Sequence, residues 1–412
     1  MPRSGWLKPV SDRRLSDVVS VGLLTRVFPP ALVDEVIAGV GRTEQRRRAL
    51  PARVVAYFAV GMALFSDGSY EDVFAQLTDG LSWSSRWRES WVPPSKSAIF
   101  QARVRLGYEA VEALFRRVAR PLATAATPGA WLGGRRLVAI DGTCLDVADT
   151  VENAEFFGRP GVNKGEQAAF PLARLVAVGE CGSHAMFDAV IGSYATSEIE
   201  LSRQLVGRLE PGMLLLADRA FYGYPLWQQA AASGADLLWR AKSNVKPRWL
   251  ETLSDGSWLA EITPGGNAGR HAEPITVRII DYTIDDGRPH DEDHDDDHED
   301  AGYRLFTTIL DPDDISAEAL AIAYAQRWEI EGTLDELKTH QRGARAVLRS
   351  KSPDLVLQEI WGHLCCHYAI RTLMWAAADG IGADPDRVSF VAALRITRRS
   401  IAHQGDFPPS PP

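Results

Sequence analysis

Four residues in the C-terminal third of the chain have side chains suited to chemistry on phosphates: Tyr324, Arg327, Glu331 and Lys338. The surrounding segment, AYAQRWEIEGTLDELKTHQRG, predicts one helix. At about 100° per residue, all four side chains fall within roughly 60° of one another around it. A carboxylate can bind a metal ion, while two cations and a phenol can bind phosphate oxygens. These four residues, here called the polar strip, indicate metal-dependent chemistry on a nucleic-acid backbone.

The same helix contains three further acids. Glu329 and Glu336 fall at about +140° and +120° from Tyr324, on the far side of the helix. Asp335 falls at about +20° and is therefore the rival of Glu331 for a place in the polar strip. An apolar stripe beside the strip is expected to pack the helix on the rest of the protein, and consists of Ala323, Ile330, Leu334 and Leu337.

Two more acids end apolar runs that predict buried strands. Asp141 ends the run RRLVAID, and Asp218 ends the run MLLLAD. Burying an unpaired charge is costly, so each carboxylate needs a basic partner or a cation. Each acid also has a simpler explanation, because Asp141-Gly142 can start a turn and Asp218 can pair with Arg219.

If these two strands are neighbours in one sheet, Asp141 and Asp218 converge at one edge of it. Glu331 on the later helix would then complete a site of three carboxylates. Oxygen ligands of this kind suit Mg²⁺ or Mn²⁺. Two such ions about 4 Å apart activate a water or a 3′-hydroxyl and stabilise the leaving oxygen in a phosphoryl transfer.

The first 130 residues are expected to form helices. Their apolar residues recur at helical spacing, with prolines between the segments. The segment PPSKSAIFQARVRLG predicts a helix capped by Ser95. That helix would present Lys96, Arg103 and Arg105, either as a solvated basic face or as contacts to a DNA backbone.

The rest of the chain alternates strands and helices. Residues 131–242 predict strands, helices and a hairpin around Gly182-Ser183. Residues 243–315 interrupt this pattern with strand-like pieces and an Asp/His tract. The tract has a metal-binding composition, but its irregular spacing and lack of apolar anchors favour a disordered acidic loop over residues 285–300. A helical C-terminal region and a disordered Pro-rich tail over residues 401–412 follow.

Charge is distributed unevenly along the chain. The net charge is −9, but residues 281–300 account for −10 and residues 1–130 for +6. The apparent acidity therefore conceals a basic N-terminal region suited to nucleic acid. Neither a secretory signal nor a membrane span is evident, and a cytoplasmic location is expected. Adjacent Cys365 and Cys366 are expected to be small core residues.

The spacing Tyr-x2-Arg-x3-Glu-x6-Lys resembles the YREK signature of transposases of the insertion sequence 4 family. The match falls on Tyr324, Arg327, Glu331 and Lys338. Flanking segments are also similar to that family, including AIDGT, LADRAFYG, LRSKSPDLVLQEIWG and the N-terminal RALPARVVAYFAVGMALF. The resemblance thus covers nearly the whole chain.

The resemblance implies an α/β fold with an RNase H-like catalytic core, a mixed five-stranded sheet with flanking helices. A β-rich insertion would interrupt this core, and an all-helical DNA-binding domain would precede it. The implied limits are 1–130 for the N-terminal domain, 131–242 and 316–400 for the core, and 243–315 for the insertion. In the family, such an insertion helps to hold a flipped base at the transposon end. Trp249 and Trp258 are candidates for stacking on that base, although both also suit a core position.

The resemblance also implies roles for the residues. Asp141, Asp218 and Glu331 would form a catalytic DDE triad that binds two Mg²⁺ ions, with Mn²⁺ as a substitute. The other three members of the polar strip would bind DNA phosphates. The implied reaction is cut-and-paste DNA transposition, in which the enzyme cleaves double-stranded DNA at terminal inverted repeats and joins the ends to target DNA. Synapsis of two ends implies a homodimer.

Two other functions remain open. A protein derived from a transposase can lose catalysis and survive as a DNA-binding protein, although the intact acids argue against this. A related nuclease can cleave DNA without strand transfer. The cations of the polar strip argue against that second alternative, because they suit holding a DNA end through several steps.

Overall fold

The structure, a computed structural model, describes residues 21–46, 50–79, 94–161, 168–242, 245–265, 272–283, 302–343 and 346–400. The predicted acidic loop 285–300 and tail 401–412 lie outside these residues. Among the described helices, none has both the length and the apolar character needed to cross a membrane.

Every element described before residue 119 is a helix, as predicted. Proline precedes or begins two of these helices and Ser95 caps a third, where its hydroxyl accepts a bond from Ala98 N–H. The helices are α1 (Val21–Val27), α2 (Pro30–Gly39), α3 (Ala52–Leu64), α4 (Tyr70–Asp79), α5 (Lys96–Leu106) and α6 (Glu109–Val118).

One predicted basic residue of α5 is not on its surface. Arg103 is fully buried, and it donates to Gln358 Oε1 at 2.8 Å and to Ser350 Oγ and the Leu355 carbonyl at 3.2 Å each. The prediction that Arg103 belongs to an exposed basic face is therefore wrong. Sequence spacing alone does not show that buried polar groups on another helix await this guanidinium.

The central sheet contains ten strands among the described residues. Along the sheet their order is β4, β3, β2, β5, β6, β10, β9, β8 and β7, with β1 beside β2. The strands are β1 (Trp131–Leu132), β2 (Arg135–Asp146), β3 (Leu172–Glu180), β4 (Met186–Ser193), β5 (Met213–Ala217), β6 (Asp236–Arg240), β7 (Arg248–Thr252), β8 (Trp258–Ile262), β9 (Ile275–Tyr282) and β10 (Tyr303–Thr307).

The first five strands of that order confirm the predicted mixed, RNase H-like sheet. Strands β4, β3 and β2 are antiparallel neighbours, whereas β2, β5 and β6 are parallel. The β3–β4 turn contains Gly182, as the hairpin prediction required. Strands β7, β8, β9 and β10 lie within the residues of the predicted insertion, and they continue the same sheet because β10 pairs with β6.

Helices cover both faces of the sheet. Alternate residues of β2 point to opposite faces, so Val138 and Ile140 join one apolar core while Leu137 and Ala139 join the other. The first core includes α8 (Glu198–Val206) and α9 (Tyr224–Ala231). The second includes the later helices α10 (Ala317–Tyr324), α11 (Trp328–Asp335), α12 (Pro353–Asp379) and α13 (Phe390–Ser400), together with the N-terminal helices.

Helix α12 connects the N-terminal helices to the part of the chain that contains the sheet. It is buried over most of its length, including both Cys365 and Cys366, as expected for small core residues. Gly362 approaches α3 so closely that a β-carbon there would lie 2.5 Å from the Ala59 carbonyl oxygen. The N-terminal helices and α12 thus share one continuous core. A short helix, α7 (Val151–Phe157), follows β2.

Candidate active site

Strand pairing places Asp141 and Asp218 side by side. Strands β2 and β5 run parallel, and the last pair of their ladder is Ile140 with Ala217. The next residue on each strand is one of the two acids, so their backbones are adjacent at the point where β5 ends. The predicted convergence of the two acids rests on this register.

Asp141 does not end its strand, contrary to the sequence prediction. Strand β2 continues to Asp146 because its antiparallel ladder with β3 extends six residues beyond the ladder with β5. The apolar run in the sequence corresponds only to the part of β2 that is buried on both faces of the sheet, so it does not indicate where the strand ends. The alternative explanation, that Asp141-Gly142 starts a turn, is thereby excluded.

Backbone N–H groups orient both carboxylates. Asp141 Oδ1 accepts from Gly142 N–H at 2.8 Å, and Asp218 Oδ1 accepts from Arg219 N–H at 2.6 Å. The Arg219 residue itself is exposed. Burial, helped by the charge of Glu331, raises the pKa of Asp141 to about 6, although the bond from Gly142 and the charge of Arg327 act against this rise. Asp141 thus lies within electrostatic reach of the helix that bears the polar strip.

That helix is not uniform, which alters the predicted angles. Between α10 and α11 the residues Ala325–Arg327 form a 3₁₀ turn, and Glu336–Gln341 form a π-helical turn. Rotation per residue is larger in the first and smaller in the second than in an α-helix. The apolar stripe is nevertheless buried as predicted, at Ala323, Ile330, Leu334 and Leu337.

Two members of the polar strip are buried beneath the surface. Tyr324 is 3% exposed and Arg327 is 5% exposed. The Tyr324 hydroxyl donates to the Ala217 carbonyl at 3.3 Å, next to Asp218. Arg327 Nη1 donates to Glu331 Oε1 at 2.6 Å and lies over the Trp328 ring. Tyr324 thus contacts the backbone beside Asp218 and Arg327 contacts Glu331, and the DNA contacts predicted for both stay predictions.

The structure separates Glu331 from its rivals. Asp335 is exposed and accepts from the Thr339 hydroxyl at 2.6 Å. Glu336 faces α12, where it contacts His367 and Arg371. Burial alone would raise the pKa of Glu336, but these partners hold it below its usual value. Lys338 is exposed and close enough to Cys144 on β2 to influence its pKa.

Glu329 belongs to a second cluster on the far side of α11. His184 Nε2 lies 2.6 Å from Asp386 Oδ1 and 3.3 Å from Glu329 Oε2. This trio has a metal-ligating composition. However, Arg371 Nη2 lies 3.2 Å from His184 Nδ1. Because arginine only donates, Nδ1 must accept and the neutral ring carries its proton on Nε2, which leaves no lone pair there for a metal. The cluster instead joins α11 to the β3–β4 turn.

One acid near the site was overlooked in the sequence. Glu198 is the first residue of α8, and its carboxylate lies against the backbone of Gly142. The cap Ser197 marks this helix start in the sequence, but nothing in the spacing shows which strand the helix start meets. Of the two tryptophans in the insertion, Trp249 is 60% exposed on the outermost strand β7. Trp258 is partly buried and donates to Asp281 Oδ2 at 3.1 Å.

Comparison with known proteins settles the family. The model described as "Transposase DDE domain" matches residues 132–369, more than half of the chain, and "Insertion element 4 transposase N-terminal" matches residues 18–116. The chain belongs to the IS4 family of DDE transposases. Membership in this family implies the use of a divalent metal ion and contact with DNA.

Two transposases of Escherichia coli agree with that assignment. The IS4-family transposase InsG of Escherichia coli, from insertion sequence element IS4, is 28% identical over 90% of this chain and 81% of its own length. A putative transposase of the same organism, InsZ, is 26% identical over 67% of this chain and 87% of its own length. A solved synaptic complex of the piggyBac transposase with hairpin DNA covers 93% of this chain and 80% of its own, with a TM-score of 0.44 and 11% identity.

Proposed function

We propose that this transposase cuts double-stranded DNA at the terminal inverted repeats of its insertion sequence and joins the ends to target DNA, with Asp141, Asp218 and Glu331 as the catalytic triad. The observation that carries this proposal is the register of β2 and β5. It brings the two aspartates together, within electrostatic reach of Glu331 on the neighbouring helix layer.

The residues present suit a divalent metal. All three side chains are carboxylates, and burial of Asp141 beside Glu331 makes its charged form costly without a cation. We assign two Mg²⁺ ions, replaceable by Mn²⁺, to Asp141, Asp218 and Glu331. When bound, such ions supply an activated water or 3′-hydroxyl and stabilise the leaving oxygen.

The other members of the polar strip position the triad. Arg327 orients Glu331 by its direct bond, and Tyr324 holds the end of β5 before Asp218. Exposed Lys338 is the member of the strip available to a DNA phosphate in this conformation. We assign phosphate contacts near the transposon end to all three, with Tyr324 and Arg327 reached only when DNA displaces their present partners.

We further assign end binding to residues 1–130 and catalysis to residues 131–242 and 316–400. The insertion 243–315 would contact the DNA beside the cut, where exposed Trp249 offers an aromatic face for an unpaired base. Two ends must be cut in concert, so the working form is assigned as a homodimer.

One experiment distinguishes this function from its alternative, a DNA-binding protein without catalysis. Purified protein is incubated with Mg²⁺ and labelled duplexes carrying the sequences that flank its gene, together with a target plasmid. Cleavage followed by joining to the plasmid supports the proposal. Binding without cleavage supports the alternative, and cleavage without joining indicates a nuclease.

A further inference from the structure

Glu198 approaches the triad from the opposite face of the sheet. A β-carbon at position 142 would lie 2.9 Å from Cδ and 3.0 Å from Oε1 of Glu198. The carboxylate of Glu198 therefore occupies the space that any side chain at position 142 would fill. Gly142 follows Asp141 directly, so Glu198 reaches the backbone beside a triad residue only because position 142 is glycine.

The end of β5 opens the path from Glu198 to Asp141. The ladder between β2 and β5 stops at Ile140 and Ala217, so β2 has no ladder partner on that side at Asp141 and Gly142 in the described part of the sheet. The two helix layers are otherwise separated by the sheet. At this gap, the charge of Glu198 acts on Asp141 in the same direction as that of Glu331.

Among the described residues, the cation paired with Glu198 is Arg174. Arg174 Nη1 lies 3.5 Å from Glu198 Oε1, and Arg174 occupies β3 directly opposite Cys144 of β2. The side chain of Glu198 remains 32% exposed, so it is open to solvent and to small ions. An acid at the first position of a helix also stabilises that helix. That role alone does not require contact with Gly142.

We propose that Glu198 is a fourth metal-binding carboxylate of this active site, beside Asp141. The inference rests on the proposed triad. It assigns to Glu198 the task of raising affinity for a divalent ion that Asp141 binds from the other side. Four acids from both helix layers would then surround the end of β5.

The test uses local cleavage of the protein by bound Fe²⁺, which substitutes for Mg²⁺ and cuts the backbone near its ligands in the presence of ascorbate and peroxide. This readout is independent of transposition. Because cleavage is local, ions bound elsewhere on the chain give fragments with different ends. We expect fragments ending near residues 141, 198, 218 and 331. For Glu198→Gln, the Fe²⁺ concentration that gives half-maximal cutting should rise about tenfold or more.

Two further variants control this measurement. Glu200→Gln changes an acid in the same first turn of α8 and should cut as the wild type does. Gly142→Ala keeps the backbone N–H that donates to Asp141 but adds a β-carbon that displaces Glu198. It should therefore raise the Fe²⁺ concentration for half-maximal cutting as Glu198→Gln does. If Glu198→Gln does not fold, Gly142→Ala decides alone.

The outcomes separate the two proposals. Cutting by Glu198→Gln at wild-type Fe²⁺ concentrations would refute the role of Glu198, provided that Asp141→Asn loses cutting near residues 141 and 218. If Asp141→Asn also cuts like the wild type, the proposed triad itself is wrong. An effect of Glu200→Gln equal to that of Glu198→Gln would show that both act only by removing a negative charge from the start of α8. That result would overturn the inference.

Discussion

At the scale of single residues, the site brings together acids whose negative charges repel one another. Asp141 is partly buried near the charges of Glu331 and Glu198, and its pKa is raised to about 6. Charge repulsion of this kind is relieved when a divalent cation binds. The metal-free protein therefore contains a locally unfavourable site, and its stability should respond to pH and to metal.

The raised pKa of Asp141 predicts that Asp141→Asn increases the free energy of unfolding by an amount that depends on pH. Between about pH 4 and pH 6 the folded wild type binds its proton more tightly than the unfolded chain, so its free energy of unfolding falls as pH rises. A shift of about two units corresponds to about 2–3 kcal/mol. At pH 7.5 without metal, Asp141→Asn should be more stable by up to this amount, and the difference should vanish near pH 4.

Urea denaturation at several pH values, with EDTA present, measures this effect. Asp335→Asn is the matched control, because that acid is exposed and outside the triad. Added Mg²⁺ should stabilise the wild type and leave Asp141→Asn unchanged. Parallel pH profiles for wild type and Asp141→Asn would contradict the account.

Sequence spacing was enough to propose the triad but not to predict the burial around it. Helical angles selected Glu331 and placed Glu329 and Glu336 on the far side, as the structure shows. The angles did not show that Tyr324 and Arg327 lie under the surface, because burial depends on what packs above a helix. The contact with Glu198 was also unpredictable, since it joins residues 56 positions apart through the space left by Gly142.

At the scale of elements, the arginines of α5 have two different roles, one structural and one at the surface. Arg103 is buried against α12 and donates to Gln358 and Ser350, whereas Arg105 on the same helix is exposed. Burial lowers the pKa of Arg103, although Tyr70 and Glu359 act to retain its charge. A basic helix therefore cannot be assigned to DNA binding as a unit.

Arg103→Ala is expected to destabilise the protein by about 3 kcal/mol or more, because several buried acceptors would lose their donor. Arg105→Ala, the control, should change the free energy of unfolding by less than about 0.5 kcal/mol. Chemical denaturation measures both. If α5 contacts DNA, weaker binding should follow from Arg105→Ala. Equal stability of the two variants would contradict the structural role of Arg103.

The ends of some strands could not be predicted from the sequence. The apolar run of β2 ends at Asp141, but hydrogen bonding to β3 extends the strand to Asp146. Strands β7 and β8 were missed because their burial alternates weakly and β7 is largely exposed. Existence of the main strands and helices was predictable from periodicity, whereas pairing beyond the apolar core was not.

At the scale of the whole molecule, the insertion and the catalytic helix are joined. Arg278 of β9 is fully buried and donates to the Ile315 carbonyl at 2.7 Å, just before α10. It also contacts Asp255, in the turn between β7 and β8, and Asp255 accepts from Ala317 N–H at 2.7 Å. Movement of the insertion would therefore be transmitted to the start of α10, the helix that leads into α11 and Glu331.

Asp255→Ala should break this connection and leave the charge of Arg278 buried without its carboxylate. Loss of one partner of a buried pair costs about 3–5 kcal/mol. Thermal unfolding should show a clearly lower midpoint for Asp255→Ala and no change for Glu251→Ala on the exposed strand β7. An unchanged midpoint for Asp255→Ala would show that the insertion is not coupled to α10 in this way.

The central claim is that Asp141, Asp218 and Glu331 form the catalytic triad of an IS4-family transposase. The most direct test is cleavage of labelled terminal-repeat DNA by Glu331→Gln, with Asp335→Asn as the control from the same helix. We predict that Glu331→Gln binds the DNA but loses cleavage by about 10³-fold or more, while Asp335→Asn cleaves normally. Normal cleavage by Glu331→Gln, with loss in Asp335→Asn, would contradict the assignment.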